Sequence, residues 1–168
     1  MSTEQCYRLR NALLFARRRP TKVIVLLGGR DFFSNGVHLN VIEAADDPAL
    51  ESWRNINAID DLIYEILNTM SHLVIVGLRG NAGAGGAMLP LAADCVYARE
   101  GIILNPHYKT MGGLYGSEYW TYTLPRRVVR KKPLRSPQSA GRLERAKPRR
   151  SVSSTIVLAK VSMNLKRF

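Results

Sequence analysis

Two glycine-bearing turns are the places where this sequence could do chemistry with its backbone. FFSNGV spans residues 32–37 and GNAGAGGAM spans 80–88, each following an apolar run. An enzyme that stabilises an enolate or a tetrahedral oxyanion needs two backbone N–H donors converging on one oxygen. Turns between a strand and a helix can supply them. A substrate can lie against a backbone that lacks side chains, and the helix end adds positive potential. Each glycine that is ordered costs roughly 0.5–1 kcal/mol relative to alanine, so four within seven positions call for a close approach or a sharp turn. Other chemistries fit less well. The stretch has neither G-x-x-x-x-G-K-[ST] nor G-x-G-x-x-G in order, so it suits neither a Walker-type phosphate loop nor a nicotinamide fold. His38, His72 and His107 are far apart, and no His/Cys pair has ligand spacing, so no metal is expected. His72, opening an apolar run, reads as structural.

The elements around the turns must hold them side by side. Ser2 and Gln5 have the spacing of a capping box. Leu9, Leu13, Leu14 and Ala16 then give a helical stripe ending at Arg17–Arg19, before Pro20. TKVIVLLGG reads as a strand buried on both faces, followed by the loop GGRDFFSNGVHLN with Asn35-Gly36 as its tightest turn. After Asp47, residues 48–70 read as a long amphipathic helix with Trp53, Ile56, Ile59, Leu62, Ile63 and Ile66 on one face. HLVIVGL is a second buried strand and leads directly into the glycine turn. ADCVYA and GIILN read as further short strands, and MGGLYG as a loop. SEYWTYTLPRR opens a helix with Ser117 as its cap. This order is that of an α/β protein with parallel crossovers. If the two long strands are neighbours, both turns emerge at one edge of the sheet.

The chain has 168 residues, enough for one domain with a real core. No run approaches the ~20 apolar residues of a membrane span. The N-terminus lacks the basic-then-apolar order of a signal peptide. Cys6 and Cys95 make no disulfide framework and read as small buried residues of a reduced, cytoplasmic protein. Charge is uneven: residues 1–125 hold 11 Lys/Arg against 12 Asp/Glu, whereas residues 126–168 hold 14 against the single acid Glu144. The excess basicity belongs to a tail. That tail reads as a basic arm for nucleic acid or anionic partners, as an unstructured end, or as a slipped reading frame. It has no interleaved aromatics to stack bases, which counts against nucleic acid.

With these residues in view, the sequence resembles the crotonase (enoyl-CoA hydratase/isomerase) superfamily over residues 5–128. VIVLLGGRDFFSNGVHLNVIE, VIVGLRGNAGAGGAMLPLAADCVYA and ILNPHYKTMGGLYGS follow the family's order, with F-S-x-G-x-x-L in the first loop and G-G-x-x-L-x-x-x-x-D closing at Asp94. The resemblance implies a ββα superhelix, incomplete at both ends, and an oligomer that a fragment need not form. It implies oxyanion donors at the N–H of Val37 and of Gly85, with a coenzyme A thioester as substrate. Ser34, Asn35, Gly36 and Gly86 would line the bound thioester. Hydratases of the family carry glutamates where this chain has Met88 and His107. Without a carboxylate at either position, addition of water has no obvious acid or base.

A narrower resemblance is carried by SNGVHLNVIEAADDPALESWRNINAIDDLI and NPHYKTMGGLYGSEYWTYTLPRRV. It is to the branch of the superfamily that serves maturation of [NiFe]-hydrogenase, and it implies release of carbon monoxide from formyl-CoA. His107 is then a candidate acid or base near neutral pH, with Glu118 a second candidate and Tyr119 against the substrate. The expected layout is a partial crotonase-like domain over 1–128 and a basic tail over 129–168, disordered or frame-shifted. A generic enoyl-CoA hydratase or isomerase, and a basic binding protein, remain the alternatives.

Overall fold

The computed structural model describes residues 1–106 and 116–128. Ser2 and Gln5 form the full capping box, and helix α1 runs Thr3–Ala16 with Cys6 and Leu13 buried. Arg17, at its C-cap, does more than face a dipole. Arg17 and Arg10 both pair with Glu65, at 2.8 and 3.0 Å, tying α1 to helix α3 (Pro48–Leu67). Asp47 caps α3 by accepting the Leu50 N–H at 2.9 Å, with Pro48 in its first turn. The buried face of α3 is Asn55, Ala58, Ile59, Leu62, Ile63 and Ile66. Trp53, expected on that face, is 67% exposed, because at about 100° per residue it lies about 120° round the helix from Ile59, off the buried stripe.

Two parallel three-stranded sheets share the strands in alternation. The first has the order β1-β3-β5, from β1 (Val23–Leu27), β3 (Leu73–Leu78) and β5 (Cys95–Ala98). The second has β2-β4-β6, from β2 (Phe32–Ser34), β4 (Asn81–Gly83) and β6 (Leu104–Asn105). Each turn of the chain therefore places one strand in each sheet and then crosses over. Short helix α2 (Leu39–Glu43) follows β2, and α4 (Gly85–Met88) with a 3-10 turn over Leu89–Ala92 follows β4. This is an α/β arrangement of parallel strands and crossovers, as the family resemblance implies.

The expectation that the first two long strands are buried on both faces is corrected. In β1 only Ile24 is buried, while Val23, Val25 and Leu27 are exposed, and Leu73 opens β3 at 44% exposure. The helices cover one face of this sheet, so the side-chain alternation of a strand divides the apolar run between core and solvent. The loop and glycine turn are also less irregular than expected, since each contains a three-residue strand of the second sheet. The last helix, α5 (Trp120–Val128), starts three residues beyond Ser117. Ser117 Oγ has no hydrogen-bond partner among the described residues and does not cap it. Instead Asp60 Oδ1 on α3 accepts the Glu118 N–H at 2.8 Å.

Candidate active site

The parallel pairing of β1 with β3 and of β2 with β4 brings the two glycine turns together. Phe32 lies opposite Asn81 and Ser34 opposite Ala82, with the register slipping between them. Gly36 has φ +80°, and a Cβ there would stand 2.9 Å from the Gly85 nitrogen and 3.3 Å from Ala84 Cβ. A Cβ on Gly86 would stand 2.0 Å from the Ser34 carbonyl oxygen. Thus these two glycines are demanded by contact of one turn with the other. The sequence alone suggested contact with a ligand. Ser34 is buried, and its Oγ accepts the Gly36 N–H at 3.2 Å, which tightens the first turn; Asn35 is exposed.

Ala84 precedes the second donor at φ 45° and ψ −130°, a conformation that costs an alanine of order 1–3 kcal/mol. Its N–H donates to the Asn105 carbonyl at 3.0 Å, and its carbonyl accepts the Ala87 N–H at 3.0 Å. The strained residue turns the chain so that the Gly85 N–H leaves the β4 ladder. Neither that N–H nor the N–H of Val37 donates to any acceptor among the described residues. Since α4 has only four residues, these donors are what the turn offers an oxygen, and a helix dipole adds little.

Behind the first turn lies the start of the chain. The Met1 amine donates to the Gly36 carbonyl, and the Met1 carbonyl accepts the His38 N–H at 3.1 Å. Burial lowers the pKa of that amine. The Met1 carbonyl also accepts from Asn55 Nδ2 at 3.1 Å. Sequence reasoning missed Asn55 and Ala84. The signal for Asn55 was a polar residue on an otherwise apolar helix face; Ala84 left none, since its strain is purely conformational.

Met88 is buried in the core at 1% exposure, so the position where hydratases carry a glutamate points an apolar side chain inward. Asp94 is structural, because its Oδ2 accepts the Val74 N–H at 2.7 Å and so braces β3. Arg127 of α5 reaches the carbonyls of Leu91, Ala93 and Asp94, holding the end of the 3-10 turn. Burial lowers the pKa of this guanidinium, against the nearby Cys95 and Asp94. Glu118 is buried, with Oε2 accepting the Ser117 N–H at 2.9 Å. Tyr119 stacks at a tilt near Tyr64, ring centroids 6.4 Å apart, and lines a 170 Å³ hollow with Asp60, Ser117 and Trp120. Both Glu118 and Tyr119 have φ +51° and precede α5; they are not first-turn helix residues. His72 is buried and structural, with Nδ1 2.8 Å from Ser71 Oγ. His107 and the basic tail over 129–168 lie outside the described residues. The structure thus brings Ser34, Gly36, Val37, Gly85 and Gly86 together, while Glu118 and Tyr119 sit against α3 through Asp60 and Tyr64.

Parallel strands, crossover helices and apposed turns define the class. The family model for enoyl-CoA hydratase/isomerase matches residues 1–146, and the chain belongs to that family. Its particular kinship is with hydrogenase maturation proteins. The chain is 61% identical over 128 residues to hydrogenase maturation factor HoxX of Bradyrhizobium diazoefficiens, covering 76% of this chain and 23% of that one. It is 64% identical to HypX of Aquifex aeolicus, solved in complex with tetrahydrofolic acid, with TM-score 0.73 over 75% of this chain and 22% of that one. An enoyl-CoA hydratase from Polaromonas sp. JS666 shares the fold at 24% identity and TM-score 0.66, over 75% of this chain and 49% of that one. The chain spans about a quarter of the length of the maturation factors it matches, and its counterpart there is their crotonase-like part. No helix among the described residues is long and apolar enough to cross a membrane.

Proposed function

We propose that this chain binds a coenzyme A thioester in the cytoplasm, with the thioester carbonyl between the N–H groups of Val37 and Gly85. Formyl is the acyl group that the resemblance to the hydrogenase-maturation branch favours. The supporting observation is the apposed pair of turns, packed so closely that Gly36 and Gly86 have no room for a side chain, with both donors uncommitted among the described residues. Ser34 and Asn35 shape the first turn against the ligand, and Gly86 lets the second lie against it.

The reaction that suits such a site is cleavage of formyl-CoA to carbon monoxide and coenzyme A. The formyl C–H bond breaks with its electron pair kept on carbon. The C–S bond breaks with its pair leaving on sulfur, and the proton ends on the thiolate. The two N–H donors hold the carbonyl oxygen and so orient the formyl group, with its C–H and C–S bonds, for this elimination. Glu118 and His107 are the candidate groups for moving the proton, and Tyr119 stands next to Glu118 as a candidate contact for the substrate. Hydration of an enoyl thioester is disfavoured by the buried Met88, which leaves no acid or base on α4.

The test is incubation of the purified chain with formyl-CoA, following carbon monoxide and free thiol. Equal release of both is the expected result. Thiol without carbon monoxide would mean plain hydrolysis and overturn the reading. With crotonyl-CoA as substrate no loss of enoyl absorbance is expected, and turnover would restore the hydratase alternative.

A further inference from the structure

We propose that Asn55 is a positioning residue for the oxyanion donor at Val37, acting through Met1. This rests on the reading of the paired turns as a thioester site. Gly36 C=O and Val37 N–H belong to one trans, planar peptide unit, so they point in opposite directions. The Met1 amine takes the Gly36 carbonyl from behind, which leaves the Val37 N–H facing the opposite way. The Met1 carbonyl accepts the His38 N–H at 3.1 Å and so fixes the next peptide plane as well. One residue therefore clamps both planes that flank Val37.

Asn55 is what holds that residue. Its Nδ2 donates to the Met1 carbonyl at 3.1 Å and to Thr3 Oγ1 at 3.3 Å, and Thr3 Oγ1 in turn donates to Glu51 Oε1 at 2.6 Å. A carbonyl can only accept, so the orientation of the amide is set: nitrogen toward Met1, oxygen away. Asn55 is 1% exposed, the one polar residue on the buried face of α3, and its Oδ1 has no partner among the described residues. A leucine would fill this position without stranding an oxygen. What only the amide provides is the grip on Met1 and, through it, the aim of the Val37 N–H.

The test compares two ligands by calorimetric titration of the full chain: acetyl-CoA, and S-ethyl-CoA, which lacks the carbonyl. The unsubstituted chain should prefer acetyl-CoA by about tenfold, the worth of a carbonyl hydrogen-bonded in the site. In Asn55→Leu that preference should fall to within about twofold of unity while S-ethyl-CoA affinity is unchanged. Equal weakening of both ligands, or full preference retained in the variant, would overturn the role of Asn55. A starting chain that does not distinguish the ligands, or binds neither, overturns the underlying site reading as well. Should Asn55→Leu fail to fold, ¹⁵N NMR of the unsubstituted chain decides. The Asn55 side-chain amide should shift with acetyl-CoA and not with S-ethyl-CoA, and an unmoved amide refutes the proposal.

Discussion

At the scale of residues, the site is made of backbone, and its side chains matter mainly by being small. Gly86→Ala should prove severe, because the added carbon would meet a main-chain oxygen at 2.0 Å and one of the two turns must retreat. We expect a loss of about 3 kcal/mol or more of stability, at or beyond the upper end for an overpacked core, together with loss of thioester binding. Urea unfolding and ligand titration would check both, and a variant that keeps both would refute the turn-to-turn packing. Cys6 gives a second prediction. The thiol is fully buried, and burial pushes its pKa from 9.0 up to about 11. Between those values the folded chain holds a proton that the unfolded chain has released, so stability falls as pH rises. The contribution is fully present below about pH 9 and is lost through pH 11, amounting to about 2–3 kcal/mol by linkage. Urea midpoints measured across this range should fall, and Cys6→Ala should flatten the fall. An equally steep fall in the variant would assign it elsewhere.

At the scale of elements, the sequence is a good guide to where things begin and a poorer one to which way they face. The capping box at Ser2 and Gln5, the Asp47 cap and the apolar spacing through Ile66 announce α1 and α3 in local chemistry alone. Which face of β1 is covered, and so which of its alternate residues are exposed, depends on what packs where, and no local pattern holds that information. Strands β2 and β4, three residues each, are likewise defined by partners distant in the chain. For the site, the two turns and their donors could be read from glycine spacing and family resemblance. The clamp at Met1 and the strain at Ala84 could not, since they exist only once the turns touch. Helix α3 carries much of the core, and Leu62 is wholly buried. Leu62→Ala should cost about 2–5 kcal/mol, read as a lower urea midpoint with an unchanged slope. A cost under about 1 kcal/mol would mean that the helix is not the anchor described.

At the scale of the whole molecule, the two sheets grow in step. β3 and β4 are the middle strands, bonded on both sides, while β1, β2, β5 and β6 each have one free edge among the described residues. Amide hydrogen exchange should therefore be slowest in β3 and β4 and faster on either side. Uniform protection across all six strands would contradict this gradient.

The pairing of one strand in each sheet with every crossover has a consequence for growth of the fold. A segment that continues this pattern beside β1 runs parallel to it, and the same turn of chain supplies a strand beside β2. Addition by single strands would leave one sheet extended and the other short. Within that pattern the structure lengthens by whole turns of chain, like a spiral stair laid tread by tread, and each new tread leaves the register of those already laid untouched.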